Sequence, residues 1–167
     1  SSDVIAKALA QQESNTSRYP DGSGYAPKKR LSELLEVSTD QLTLGNGSND
    51  VLELLVHAFV CPGQGVVVSE HSFAVYSLAA AAVGADLKTD SPSSWGNDLD
   101  EMLSLVDRYT RVVFIPNSNN PTVPLVAWRA LLSVLVHFPA TTIVVIDQSS
   151  FVSVSYQHLS LPTHMFF

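Results

Sequence analysis

Apolar positions along the chain follow two alternating periods. Short continuous apolar runs at Val66 to Ser69, Val112 to Ile115 and Thr142 to Asp147 have the length and β-branched composition of buried strands, and Ala85 to Thr89 is a candidate for another strand. Between them the spacing becomes helical. From Asn49 to Phe59, Val51, Leu52, Leu54, Leu55, Ala58 and Phe59 recur on a 3.6-residue period. Phe73 to Val83 is an Ala-rich helix that Gly84 is placed to end. Asp98 to Val106 turns Leu99, Met102, Leu103 and Val106 inward, and a further helix runs from about Leu125 to Phe138. Strand and helix alternate from Gly65 onward, which predicts an α/β fold: a mostly parallel sheet in three layers, flanked by helices and joined by right-handed crossovers.

Ahead of that alternation the pattern is looser. Ser1 to Gln12 predicts a helix capped by Ser2 or Asp3, with Val4, Ile5, Ala8 and Leu9 on one face. Arg18 to Tyr25 (RYPDGSGY) is a loop by its Pro, Asp and Gly content. Pro27 to Leu35 follows as a second helix with Pro in a tolerated first-turn position, and Thr39 to Leu44 as a short extended piece. Beyond Asp147 the tail from Gln148 to Phe167 alternates weakly at Phe151, Val152, Val154 and Tyr156 and carries no acid, Lys or Arg. A parallel sheet needs another crossover helix there, and none is legible, so the chain is expected to stop before its fold is complete. The domain plan is residues 1–30 as N-terminal helix and loop, 31–147 as the main α/β body, and 148–167 as a divergent tail.

Composition narrows the class. A chain of 167 residues suits one domain or most of one. With 46% hydrophobic and only 15% charged residues, some apolar surface is expected to meet a partner subunit or further chain. A net charge of −7 without a basic stripe argues against nucleic acid as partner. No apolar run reaches the roughly 20 residues needed to span a bilayer, and no basic segment precedes an apolar one in the manner of a secretory signal. The expectation is no membrane association and a cytoplasmic location. The single cysteine, Cys61, excludes an internal disulfide framework and is expected to be a small buried hydrophobe. No pair of histidines has ligand spacing, which predicts no metal.

The candidate chemistry lies at the carboxyl ends of the strands, where open α/β sheets place ligands. The strand through Ile115 runs into Pro116, Asn117, Ser118, Asn119, Asn120, Pro121 and Thr122, and the strand from Thr142 ends on Asp147. Asn, Ser and Pro are also ordinary turn formers. Two strands delivering Asn120 and Asp147 to one sheet edge nevertheless suggest a site. Gly47, Ser48 and Asn49 open an apolar helix, where backbone N–H groups and the helix dipole can hold a phosphate, although Ser and Asn are equally common caps. The segment is neither a dinucleotide fingerprint nor a Walker loop, and no G-x-S-x-G elbow is present. Phe73, after His71 and Ser72, either stacks on a flat heterocycle at the sheet's mouth or packs in the helix core. His71 and His57 are more often surface or capping residues than acid–base groups.

These loops together resemble the pyridoxal-phosphate aminotransferases of fold type I, and within them the histidinol-phosphate aminotransferase branch. The resembling stretches are RYPDGSGY at 18–25, LGNGSNDVLELL at 44–55, SEHSFAVY at 69–76, RVVFIPNSNNPT at 111–122 and VVID at 144–147, in matching order and spacing. The resemblance implies a fold type I large domain and amino transfer between L-histidinol phosphate and 2-oxoglutarate, in histidine biosynthesis, with pyridoxal 5'-phosphate as cofactor. It implies that Gly47, Ser48 and Asn49 hold the cofactor phosphate, that Phe73 stacks on its ring, that Asn120 bonds the ring hydroxyl and that Asp147 pairs with the ring nitrogen. Tyr19 would reach the phosphate bound by the other subunit of a homodimer. A carboxylate there keeps the pyridine protonated and electron-withdrawing.

The chain also departs from the family. Val123 stands where the family has Gly, and Gln148, Ser149 and Ser150 replace Glu-Ala-Tyr, so the tyrosine expected to support the ring hydroxyl is Ser150. The Schiff-base lysine is absent: the lysines are Lys7, Lys28, Lys29 and Lys88, all before the strand at 112–115. The expectation is therefore a truncated, inactive first half of such an enzyme. The rival expectations are a non-catalytic remnant that binds a phosphate ligand or dimerises with a relative, and an ordinary nucleotide-binding α/β domain.

Overall fold

Parallel strands set the frame of the chain. A computed structural model describes residues 3–12, 19, 21–91, 98–116, 128–147 and 164–166. They fall into two units, Ser1–Leu44 and Gly45–Phe167.

The first unit holds helix α1 (Asp3–Gln12) and helix α2 (Tyr25–Leu35), followed by a 3₁₀ turn at Thr39–Gln41. Helix α2 starts two residues earlier than its sequence suggests, because the Asp21 carboxylate accepts from the backbone N–H of Tyr25 at 2.9 Å and of Ser23 at 2.9 Å. The Ser23 hydroxyl, which also donates to this carboxylate, and then those backbone bonds hold the Asp21 carboxyl below its ordinary value. The extended piece expected over 39–44 is instead opened by the 3₁₀ turn. Ser38 and Gln41 form a reciprocal capping box around it, which offers the backbone a local alternative to extension.

The second unit is the α/β body. In chain order it contains α3 (Ser48–Phe59), β1 (Gly65–Val68), α4 (Ala74–Ala82), β2 (Asp86–Thr89), α5 (Leu99–Ser104), β3 (Thr110–Pro116), α6 (Trp128–Leu135), β4 (Ile143–Asp147) and β5 (His164–Phe166). The strands form one sheet in the order β2-β1-β3-β4-β5, and every described pair is parallel. The fold expectation is met, with one correction. The tail returns to the sheet: Val144, Val145 and Ile146 pair with His164, Met165 and Phe166. A short apolar strand after a polar stretch gives too little periodicity to be read in advance. The remainder of the tail lies outside the described residues.

Alternation along the strands sorts the core into two layers. Val66, Val68, Val112, Phe114 and Val145 face α3 and α4, which contribute Leu52, Leu55, Val56, Tyr76, Ala79 and Ala80. Val67, Val113, Ile115, Val144 and Ile146 face the other way, onto Leu99 and Met102 of α5 and Leu131 and Leu135 of α6. Each large side chain withdrawn from water contributes roughly 1.5–3 kcal/mol, so the two layers together dominate the stability of this unit. Gly65 permits the close approach of β1 to β3: a Cβ there would lie 3.1 Å from both Cα and Oγ1 of Thr110. The register between the two strands shifts at this point.

Cys61 corrects another expectation. It is free and exposed, in the turn between α3 and β1, where its N–H donates to Gln64 Oε1 at 2.8 Å. A turn leaving a helix for a sheet runs over the surface, and that placement overrides the tendency of cysteine to be buried. Among the described residues, no helix is long and apolar enough to cross a membrane.

Candidate functional site

Asp147 is the last residue of β4, in register with Pro116 at the end of β3. It shares strand parity with Val145, so its side chain falls on the face covered by α3 and α4 rather than by α5 and α6. Its exposure is 5%, which leaves a carboxyl group largely out of water and in need of polar partners.

Tyr76 supplies one of them. Its hydroxyl donates to Asp147 Oδ2 at 2.5 Å across 71 residues of chain. The tyrosine sits in the first turn of α4 and is 1% exposed. Burial pushes its phenol well above the ordinary tyrosine value, and the hydrogen bond to Asp147 and the charge on that carboxylate push it further. The phenol is therefore neutral and a donor at any physiological pH. Its ring lies flat on Phe114 of β3, with centroids 4.7 Å apart and planes 5° from parallel. Sequence reading assigned Tyr76 no role. The available signal was a tyrosine on the buried face of an Ala-rich helix, since a buried phenol requires a partner.

Phe73 belongs to the same group. It is the residue before α4, 40% exposed, and it meets Tyr76 edge-on with centroids 6.0 Å apart and an interplanar angle of 87°. The loop that carries it is fastened to the sheet. Ser72 N–H donates to the Ser69 carbonyl at 3.0 Å, and Glu70 N–H donates to Oδ1 of the buried Asp90 at 2.7 Å. Phe73 thus presents a partly open aromatic face at the carboxyl end of β1, rather than filling the helix core.

Gly47, Ser48 and Asn49 start α3, the other helix on this face. Gly47 precedes the helix with φ 85° and ψ 174°, a conformation essentially restricted to glycine. A Cβ there would meet no atom within 4 Å, so the backbone beside the helix start is open to close approach. The first amides of a helix have no partner inside it and carry the positive end of the dipole. Asp50 Oδ2 accepts from Asn46 N–H at 2.9 Å and fixes the loop entering the helix.

The structure joins Phe73 and Asp147 through Tyr76. Gly47, Ser48 and Asn49 lie on the neighbouring helix, which packs against α4 in the same core layer. Asn120, with Val123 and Ser150, lies outside the described residues. Tyr19 is in the first unit and fully exposed at 101%. His71 is exposed, and exposed His57 donates from Nδ1 to the Glu53 carbonyl at 2.9 Å. Chemically, the face offers an anion site at a helix start, a partly open aromatic ring, and a buried carboxylate suited to a cationic ring N–H.

Comparison with known proteins carries this arrangement to a family. Residues 1–149 match the family described as aminotransferase class I and II. The chain is 44% identical over 143 residues to histidinol-phosphate aminotransferase 2 of Pseudomonas aeruginosa, covering 86% of this chain and 39% of that protein. It is 48% identical over 132 residues to histidinol-phosphate aminotransferase 1 of Cupriavidus pinatubonensis, covering 79% and 35%. The chain thus spans about two fifths of the length of these relatives. In fold it is similar to the histidinol-phosphate aminotransferase of Sinorhizobium meliloti solved with pyridoxal-5'-phosphate, with a TM-score of 0.83 at 24% identity over 88% of this chain and 40% of that one. With the family matched over residues 1–149, the chain belongs to the class I and II aminotransferases.

Proposed function

We propose that this chain is the cofactor-binding portion of a histidinol-phosphate aminotransferase, which moves an amino group between L-histidinol phosphate and 2-oxoglutarate in histidine biosynthesis. The identity of 44% to 48% with relatives of that name supports the choice of branch. The observation that carries the cofactor reading is Asp147: a buried carboxylate at the carboxyl end of a central parallel strand, hydrogen-bonded by a neutral phenol. A neutral phenol brings no positive charge to the carboxylate, and a protonated pyridine nitrogen is a partner that it suits.

The residues present fit pyridoxal 5'-phosphate. Gly47, Ser48 and Asn49 would hold its phosphate on the backbone of the helix start. Phe73 would cover its ring, Asp147 would keep its ring nitrogen protonated, and Asn120 would bond the ring hydroxyl. When bound, the cofactor supplies an electron sink for the carbanion left when the substrate loses its Cα proton. Asp147 contributes by holding a proton at the ring nitrogen. Tyr19 would reach the phosphate site of a second subunit, which makes a homodimer the functional assembly, and a cytoplasmic location accompanies this reading.

These residues do not supply the lysine such an enzyme needs. Lys88, on β2, is engaged with Asp107 Oδ2 at 2.7 Å and the Leu105 carbonyl at 3.3 Å. Lys7, Lys28 and Lys29 belong to the first unit. The 167 residues alone are therefore expected to bind without turning over. An absorbance titration with pyridoxal phosphate tests the reading. Saturable binding with one site per chain, weakened by added inorganic phosphate, is the expected result. Binding indifferent to phosphate would remove the role given to Gly47, Ser48 and Asn49.

A further inference from the structure

Resting on the cofactor reading above, we propose that Tyr76 is a positioning residue for pyridoxal phosphate, setting through one side chain both the carboxylate at the ring nitrogen and the aromatic that covers the ring. Neither Phe73 nor Asp147 is positioned by its own element alone. Asp147 ends a strand and Phe73 sits in the loop before a helix, and such terminal positions hold their side chains loosely unless packing fixes them. Tyr76 contacts both. Its hydroxyl lies 2.5 Å from Asp147 Oδ2, and its ring makes a T-shaped contact with Phe73, centroids 6.0 Å apart. It is itself clamped, 1% exposed and stacked on Phe114 in β3, beside the strand that ends on Asp147.

The consequence for the carboxylate follows from geometry. A carboxylate offers about four lone-pair sites on two oxygens, and the Tyr76 O–H takes one of them on Oδ2, so the tyrosine does not itself exclude a ring N–H from the group. That O–H also selects one rotation about the Cβ–Cγ bond, which fixes the plane in which a ring N–H must approach. The phenol cannot take the place of the cofactor's nitrogen, because burial keeps it neutral and it brings no positive charge to Asp147. For the aromatic, an edge-to-face contact resists tilting of the Phe73 ring and so preserves a flat platform.

A double-mutant cycle on pyridoxal phosphate affinity tests this, using the parent chain, Tyr76→Phe, Asp147→Asn and the combined variant. Tyr76→Phe keeps the stack on Phe114 and the edge contact with Phe73, so the fold is retained and only the O–H is lost; urea unfolding verifies that. Tyr76→Phe is expected to weaken binding about tenfold in the parent and less than about twofold in the Asp147→Asn background, because the hydroxyl acts through the carboxylate. The absorbance band of the bound cofactor, which reports protonation of the ring nitrogen, is expected to shift in Tyr76→Phe in the same direction as in Asp147→Asn. Equal losses in both backgrounds with an unmoved band would show a merely structural tyrosine and overturn the assignment alone. Failure of the parent to bind, or an Asp147→Asn chain that binds like the parent, would overturn the cofactor reading and the assignment with it.

Discussion

Tyr76 and Phe114, 38 positions apart in sequence, lie face to face at 4.7 Å and 5°. Phe114 is a strand residue with no accessible surface, and Tyr76 lies in the first turn of the helix above it. The stack therefore links the center of the sheet to the hydrogen bond on Asp147. Phe114→Ala should cost about 3–5 kcal/mol of unfolding free energy, the range for emptying a packed aromatic site. Phe114→Leu should cost less and still weaken cofactor binding, since Tyr76 loses its flat support. Urea unfolding of both variants measures the first effect and a pyridoxal phosphate titration the second.

A second relationship makes stability depend on acid. Asp107 is held from the ordinary aspartate value of 3.8 down to about 2, first by its bond to Lys88 and then by the backbone N–H of Tyr109. Lys88 lies on the edge strand β2, and the 2.7 Å bond fastens it to the turn that opens β3. A carboxyl lowered on folding contributes stability above its unfolded value and loses it as pH falls toward the folded one. The contribution is therefore intact above about pH 4 and disappears between there and about pH 2. Urea midpoints of the parent and Asp107→Asn chains across pH 5 to 2 check this. The difference between the two chains should shrink steadily as the pH falls, and raised salt should shrink it as well, because the pair is partly exposed.

Gly47 separates conformational cost from steric cost. Its φ of 85° and ψ of 174° are unfavourable for any residue with a Cβ, while nothing within 4 Å would obstruct one. Gly47→Ala should destabilise the chain by about 1–3 kcal/mol through backbone strain alone. The same change should lower affinity for inorganic phosphate, because the loop can relax only by moving the amides at the start of α3. Chemical denaturation and phosphate competition measure the two effects on one variant.

Much of the fold was legible in the sequence, and the reasons are local. The run Val112 to Ile115 has the length and composition of a buried strand, and its side chains divide between two core layers as a strand buried on both faces requires. The helix over 49–59 was visible because Val51, Leu52, Leu54, Leu55, Ala58 and Phe59 recur at helical spacing, and of these the structure buries Val51, Leu52 and Leu55. What escaped reading depends on partners distant in sequence. The hydroxyl of Tyr76 acquires meaning only when Asp147 is brought to it. Cys61 is exposed because of where a turn leaves the body, and its own chemistry carries no sign of that. The strand at 164–166 is defined by pairing with β4 rather than by any pattern of its own. Of the site residues, Phe73 and Asp147 fall on one face of the sheet and are linked. Gly47, Ser48 and Asn49 occupy the helix beside them, and Asn120 falls outside the described residues.

The central claim is that the start of α3 and the end of β4 serve one ligand, the first holding its phosphate and the second its ring. The most direct measurement is a pair of absorbance titrations, with pyridoxal phosphate and with pyridoxal, on the parent, Ser48→Ala and Asp147→Ala chains. Ser48→Ala should weaken pyridoxal phosphate binding about fivefold, as for one lost hydrogen bond, and leave pyridoxal binding unchanged. Asp147→Ala should weaken both ligands, by roughly tenfold or more, as for a charge-assisted bond to the ring they share. If all three chains bind the two ligands alike, these loops are turns and helix caps, and the cofactor site proposed for them does not exist.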